Sequence, residues 1–290
     1  MTKLRLLRIG VPLAIRFPLF FYGLAWVGGL VAWALKPRMR GRVVRNLLPL
    51  FDGDMRKARR GSLKVFQNVA RYYVDIATLP RRDIATFERD HMEIVNAERL
   101  ELLREAQPII LLSAHTGNPE LAVQVLTFRG RPFTALVEEL RPPALGRYFL
   151  ALRSSAGGTF YEADLGGVRA ILGTLREGGV IALIGDRDLQ NTGACVRMCG
   201  RGVKLPRGPF DLARRTDALI LPVFCSRKGI DDMIVRVEEP MRVAKSEDAE
   251  RDVEEATRQW ACILERHLRR EPDQWAVTED FWKVHACATS

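Results

Sequence analysis

The first 45 residues contain no aspartate and no glutamate. They carry Lys3, Arg5, Arg8, Arg16, Lys36, Arg38, Arg40, Arg42 and Arg45, nine of the ten positive charges by which the 290-residue chain departs from neutrality. The rest is close to balance, with 36 basic and 35 acidic side chains. A basic face spread over the domain, as nucleic acid requires, is therefore excluded. The excess belongs to one segment that is apolar in its middle, which suits an anionic membrane surface. Cysteine is scarce and odd in number: 195, 199, 225, 262 and 287. That scatter is no disulfide framework, and reduced thiols in a cytoplasmic setting are expected. No second histidine or cysteine pair stands at ligand spacing from any candidate, so no metal is expected. Also missing are a Walker loop, a G-x-G-x-x-G turn and a G-x-S-x-G elbow, so nucleotide chemistry is not indicated and that class of hydrolase is disfavoured. Repeats and low-complexity tracts are absent, and 47% hydrophobic content is enough for a sizeable core.

Phe17 to Leu35 is an uncharged run of 19 residues, at the length threshold for crossing a bilayer. Trp26 and Trp33 suit an interface, while Pro18 and the Gly28-Gly29 pair weaken a straight spanning helix. Residues 1–38 are expected to be a basic, apolar membrane anchor, spanning or monotopic, and 39–290 the folded domain. Residues 39–80 read as short helices broken at Asn46–Phe51, with Ser62 as a cap. Beyond them, strands are expected at 92–95, 109–112, 133–137, 159–162, 180–184, 219–224 and 234–237. Helices are expected at 97–105, from 121, and at 142–153, 168–176, 210–215 and 247–269, with a long loop between 185 and 209. Alternating strands and helices argue for an α/β fold with a central mixed, largely parallel sheet flanked by helices.

His115-Thr116-Gly117-Asn118-Pro119-Glu120 organises this pattern. A buried strand precedes it, Asn118 suits a helix N-cap and Pro119 the first helical position. A histidine thus stands at the carboxyl end of a strand, where open α/β sheets bind ligands, with a carboxylate in the first helical turn. Glu120 is expected to orient His115, which would then act as a general base toward a hydroxyl. The alternative is a hydrogen-bonded structural histidine. Glu138 ends the next strand, Arg153 the helix after it, and Asp186-Arg187-Asp188 the strand at 180–184, all expected on the same edge, and Arg153 or Arg187 suits a phosphate held bidentately. His267 lies on the apolar stripe of the last long helix and reads as structural. Trp275 and Trp282 read as packing or membrane-touching residues.

The H-x-x-x-x-E of His115 and Glu120 resembles the motif of the bacterial lipid A biosynthesis acyltransferase family. The resemblance extends to Asn46-Leu47 with Phe51, Val137–Pro142, Phe149–Arg153, Ile184–Leu189, Leu205–Pro209, Leu221-Pro222-Val223 and Asp273-Gln274-Trp275, roughly residues 40 to 282. It implies a membrane-bound enzyme that takes a fatty acyl thioester, on coenzyme A or acyl carrier protein, at the cytoplasmic face of a bacterial inner membrane. It needs no cofactor beyond that donor. By the same likeness His115 and Glu120 are catalytic, and Glu138, Arg153, Asp186, Arg187 and Asp188 bind substrate. Asp-Arg-Asp-Leu at 186–189 is nearer the phosphatidylinositol mannoside branch than the lauroyl transferases. That branch carries Asp where Glu120 stands, so the acceptor stays open. No E-G-T-R block is present, which argues against lysophosphatidate. Acylation of another glycerolipid or an ornithine-type lipid, and a non-catalytic membrane-binding protein on the same fold, remain the rival readings.

Overall fold

A computed structural model describes residues 2–128 and 131–287. It begins with three helices, α1 (Thr2–Arg16), α2 (Pro18–Leu35) and α3 (Pro37–Leu47). Proline opens both α2 and α3, where its missing N–H is harmless. One 24-residue helix follows, α4 (Met55–Thr78), in place of the short helices expected there. Its cap is Asp54, which accepts from the Arg56 and Lys57 N–H groups. Ser62 is a buried interior residue of α4, accepting from the Trp33 indole at 2.9 Å. The run from 61 to 78 presents Ser62, Val65, Phe66, Val74 and Ile76 inward at helical spacing.

Helix α2 is long and apolar enough to cross a membrane by length and composition, yet it lies against α4. The close approach depends on Gly29, where a Cβ would stand 2.6 Å from the Gln67 Cα. Its buried side carries Tyr22, 2% exposed. Leu19, Phe20, Leu24, Trp26 and Leu35 are exposed.

Helix α5 (Ile84–His91) leads into a seven-stranded sheet. Its strands and helices are β1 (Met92–Val95), β2 (Ile109–Ser113), α6 (Pro119–Phe128), β3 (Phe133–Val137), α7 (Pro143–Ser154), β4 (Thr159–Glu162), α8 (Leu165–Arg176) and β5 (Val180–Ile184). Then come a hairpin, β6 (Ala194–Met198) and β7 (Arg201–Leu205), followed by α9 (Gly208–Thr216), β8 (Leu219–Arg227), β9 (Met233–Val237), α10 (Ala249–Arg270) and α11 (Phe281–Val284). The sheet order is β1-β9-β8-β2-β5-β3-β4, parallel except where β8 meets β9. The fold is therefore a mixed, mostly parallel α/β sheet flanked by helices. β2 lies at the centre, and its first four residues are buried. Ile110 and Leu112 pack with Trp260 and Phe210 on one side, and Ile109 and Leu111 with Leu103 and Phe133 on the other. A strand covered on both faces reads as an unbroken apolar run.

Three further expectations are corrected: those for residues 97–105, for the loop between 185 and 209, and for the cysteines. Residues 97–104 wind as a 3₁₀ helix. The loop between 185 and 209 contains the β6–β7 hairpin, with Ala194, Val196 and Met198 buried on alternate positions. Folding that loop back brings Cys195 to Cys287, and the two form a disulfide with Cα atoms 5.9 Å apart; Cys199, Cys225 and Cys262 are free thiols. Trp275 and Trp282 pack inside, 1% and 8% exposed, and their indoles donate to Asp186 and to the Asn46 carbonyl.

Candidate active site

Strand register builds the centre of the site. Ser113 of β2 is paired with Ile184 of β5. His115 and Asp186 each follow two residues later, so the two side chains emerge opposite one another at the carboxyl edge of the sheet. The Gly185 N–H donates to the Ser113 carbonyl at 2.8 Å and continues the ladder to that point. His115 Nδ1 lies 2.8 Å from Asp186 Oδ1, and the His115 backbone N–H donates to Oδ2 at 3.2 Å. The Trp275 indole donates to the same Oδ2 at 2.8 Å.

Three donors on a carboxylate with no exposed surface decide its charge. Burial alone would raise the Asp186 pKa, but the facing imidazole and these hydrogen bonds outweigh it and hold it below the ordinary range. Burial likewise works to lower the His115 pKa, and the Asp186 charge and hydrogen bond reverse it, leaving His115 raised above its ordinary value. The imidazole is about one third exposed, 34%. With Nδ1 directed at Asp186, Nε2 is the ring nitrogen left to meet a hydroxyl.

The carboxylate beside His115 is thus Asp186, where sequence reasoning placed Glu120. The five-residue spacing puts Glu120 in the first turn of α6, and there it turns toward α7 and α4. Glu120 Oε2 accepts from Arg153 Nε at 2.7 Å, and Oε1 accepts from the Tyr72 hydroxyl at 2.6 Å. Arg153 Nη2 donates to the Tyr72 oxygen at 3.2 Å, closing a three-membered cluster. The Arg153 guanidinium is only 11% exposed, and burial, which favours its neutral form, is overcome by Glu120 and Tyr72, so its pKa is raised. The Tyr72 hydroxyl completes this cluster.

Arg187 bridges two carboxylates. Its Nε and Nη2 donate to Glu279 at 2.8 and 3.1 Å, and Nη1 to Glu138 at 2.9 Å. Glu279 also meets His285 Nε2 at 2.9 Å. Neither Arg153 nor Arg187 presents an unengaged fork, contrary to the expectation of a bidentate phosphate grip. Asp188 faces its own loop and accepts from the Thr192 and Gly193 N–H groups at 3.3 and 2.7 Å. So His115 and Asp186 come together, Glu120 and Arg153 form a second cluster, and Glu138 and Arg187 a third. Trp275 and Glu279 were missed as partners, because nothing in the sequence says that the tail folds back across this edge. A cavity of about 640 Å³ lies elsewhere, lined by Pro108, Gly178 and Thr216 just before the amino ends of β2, β5 and β8. It carries none of these groups.

The model of a family described as bacterial lipid A biosynthesis acyltransferase matches residues 13–284. A phosphatidylinositol mannoside acyltransferase of Mycolicibacterium smegmatis is 28% identical over 219 residues, covering 73% of this chain and 69% of that protein. Two proteins of the same name from strains of Mycobacterium tuberculosis are each 29% identical over 170 residues, 56% of this chain and 53% of theirs.

Proposed function

The chain belongs to the bacterial lipid A biosynthesis acyltransferase family, and from that premise we propose that it moves a fatty acyl chain from an acyl thioester to a hydroxyl of a membrane glycolipid. The donor is acyl-coenzyme A or acyl carrier protein, taken as substrate. The names of the relatives favour a phosphoinositide-type glycolipid as acceptor. The observation that carries the mechanism is the 2.8 Å contact between His115 Nδ1 and the buried Asp186 carboxylate.

A carboxylate on Nδ1–H fixes the tautomer with Nε2 unprotonated. His115 Nε2 then takes the proton of the acceptor hydroxyl as its oxygen attacks the thioester carbonyl. Collapse of the tetrahedral intermediate breaks the C–S bond, and the departing thiolate recovers the proton from the imidazolium. Asp186 stabilises that imidazolium without itself taking the proton. No covalent acyl-enzyme is required. The Tyr72–Glu120–Arg153 cluster keeps the first turn of α6 fixed against α4 and α7, so Glu120 acts by holding the wall of the site. Arg187, between Glu138 and Glu279, ties the tail to the rim in the same way.

The exposed apolar side of α2, with Ile9, Leu13 and Phe17 of the preceding segment, forms the membrane face. Because α2 also docks on α4, it lies in the interface as a monotopic anchor. Lys36, Arg38 and Arg42 follow it without an acidic residue, and they meet anionic headgroups of the cytoplasmic leaflet of a bacterial inner membrane, where both donors occur.

The test uses the full chain with anionic and with neutral liposomes, radiolabelled palmitoyl-coenzyme A or palmitoyl-acyl carrier protein, and added phosphatidylinositol mannosides. Label in a hydroxyl-linked acyl glycolipid, with flotation favouring anionic vesicles, supports the reading. Thioester loss without label in any glycolipid overturns the acceptor. Equal flotation on both vesicle types overturns the basic membrane face.

A further inference from the structure

Below the His115 turn, five residues form a ring closed by four polar contacts and the Gly117–Asn118 peptide bond. Asp75 of α4 has 1% of its surface exposed. Its carboxylate accepts from Asn118 Nδ2 at 2.8 Å and from the Arg227 guanidinium in a buried ion pair. Asn118 Oδ1 caps α6 by accepting the Leu121 N–H at 2.9 Å. The Gly117 N–H donates to the Gln274 carbonyl at 3.1 Å. The Gln274 side chain in turn accepts the Arg227 N–H at 2.8 Å. The path Asp75, Asn118, Gly117, Gln274, Arg227 thus returns to Asp75.

The turn has little slack within this ring. Gly117 has φ +55°, and a Cβ there would lie 2.5 Å from the Cys225 carbonyl oxygen. The His115 carbonyl accepts the Ala276 N–H at 2.7 Å. A shift of Asn118 is therefore passed to the backbone that carries the imidazole. Only Thr116 and Gly117 separate the two.

One more group reaches the ring, and it comes from the membrane helix. The Tyr22 hydroxyl donates to Asp75 at 2.6 Å and accepts from Arg82 Nη2 at 2.9 Å. Arg82 is itself paired with Asp231 at 2.8 Å. An apolar helix needs no buried hydroxyl for membrane affinity; phenylalanine would partition as well. Replacing a buried ion pair by apolar groups is often neutral or stabilising, so stability alone does not account for Asp75 and Arg227.

We propose that Tyr22, Asp75 and Asn118 are positioning residues that make the geometry of the His115 turn depend on how α2 is seated, so that the membrane helix is part of the catalytic scaffold. This rests on the reading of His115 as the base. A seated α2 fixes Asp75, Asp75 fixes the Asn118 amide, and the turn then holds the imidazole against Asp186. Lipid contact on the exposed side of α2 biases the same seat from outside.

The experiment follows the His115 imidazole itself. The full chain has four histidines, so ¹³C-histidine NMR in detergent micelles resolves its titration, assigned by loss of the signal in His115→Gln. The groups facing the ring are Asp186, Arg187 and Glu138. Tyr22→Phe keeps the apolar body of the side chain. Asn118→Ser keeps a cap oxygen for α6 but loses the amide that reaches Asp75. In both variants we expect the titration to move down toward the ordinary histidine range near 6.5. Palmitoyl-coenzyme A turnover should fall about tenfold in kcat with KM held, since displacements of a fraction of an ångström cost rates of that order. Flotation should be unchanged. Folded variants that titrate and turn over like the parent overturn the proposal, and so does a loss of rate that tracks melting temperature with the titration unmoved. Asp186→Asn separates the two readings. It must lower the titration; if it does not, the His115–Asp186 assignment itself fails.

Discussion

His115–Asp186 and Arg227–Asp75 each set a basic side chain against a carboxylate at the same carboxyl edge of the sheet. In each the carboxylate side chain has no exposed surface. The difference lies in the partner. The His115 ring is 34% exposed and keeps one nitrogen for an incoming group, whereas Arg227 is 2% exposed and turned wholly inward. On the proposed mechanism the same buried charge serves chemistry in one pair and position in the other. Losing the first should cost rate with little loss of stability, and losing the second should cost stability as well as rate.

The largest effect expected is on rate. His115→Ala removes the base, and general-base catalysis is typically worth about 10²–10⁴-fold, so acyl transfer should fall by that order. The residue follows a strand end and is partly exposed, so the melting temperature should move little. In the parent, His115 must be neutral to act. Its raised pKa therefore puts the acid limb of kcat above the ordinary histidine range, with activity falling as pH drops through it. Single-turnover transfer at several pH values, beside a melting curve, measures both. Near-normal transfer by a folded His115→Ala would make the pair structural and erase the contrast with Arg227.

Next comes the inward pair. Asp75→Ala leaves Arg227 buried without a counter-charge, a change that costs roughly 3–5 kcal/mol. Replacing both, as Asp75→Ala with Arg227→Met, should recover much of that loss in denaturant unfolding. If single and double variants unfold alike, the pair is not electrostatically coupled.

These two pairs also mark where sequence reading succeeds. The strands at 92–95, 133–137, 159–162 and 180–184 were legible to the residue, since β-branched and apolar runs between glycine, proline and charge follow local rules. His115 and Asp186 were placed on one sheet edge for the same reason: both stand just past a buried run. Which carboxylate meets His115 was not legible, because that depends on β2 lying beside β5. Glu120 is near in sequence, and Asp186 is near in the sheet. Asp75 was invisible, a single acid between Val74 and Ile76 whose partners lie 53, 43 and 152 residues away. Local pattern carries no record of such distances. The β6–β7 hairpin did leave a trace in alternating Ala194, Val196 and Met198, with Cys195 and Arg197 between them.

A third buried base, His267, sharpens the contrast by having no carboxylate at all. It lies on α10, 1% exposed, with its ring stacked on Phe224 at 4.0 Å between centroids and neither nitrogen hydrogen-bonded. Burial, with Arg236 and Arg270 nearby, pushes its pKa down to about 3. Unfolding restores the ordinary value near 6.5. Below that pH the unfolded chain binds a proton that the folded chain refuses, so stability is full above about 6.5 and falls as pH drops toward 3. The slope approaches about 1.4 kcal/mol per pH unit, or about 2 kcal/mol between pH 7.5 and pH 5. His115 has the opposite sign: its raised pKa adds stability below the ordinary value that is lost as pH rises through the folded one. Because both proteins keep His115, comparing the parent with His267→Phe cancels that contribution. Urea unfolding at the two pH values should show the parent losing about 2 kcal/mol more than the variant. Equal losses would mean that His267 takes up its proton in the folded state, and that a buried imidazole on this fold needs no Asp186 to become charged.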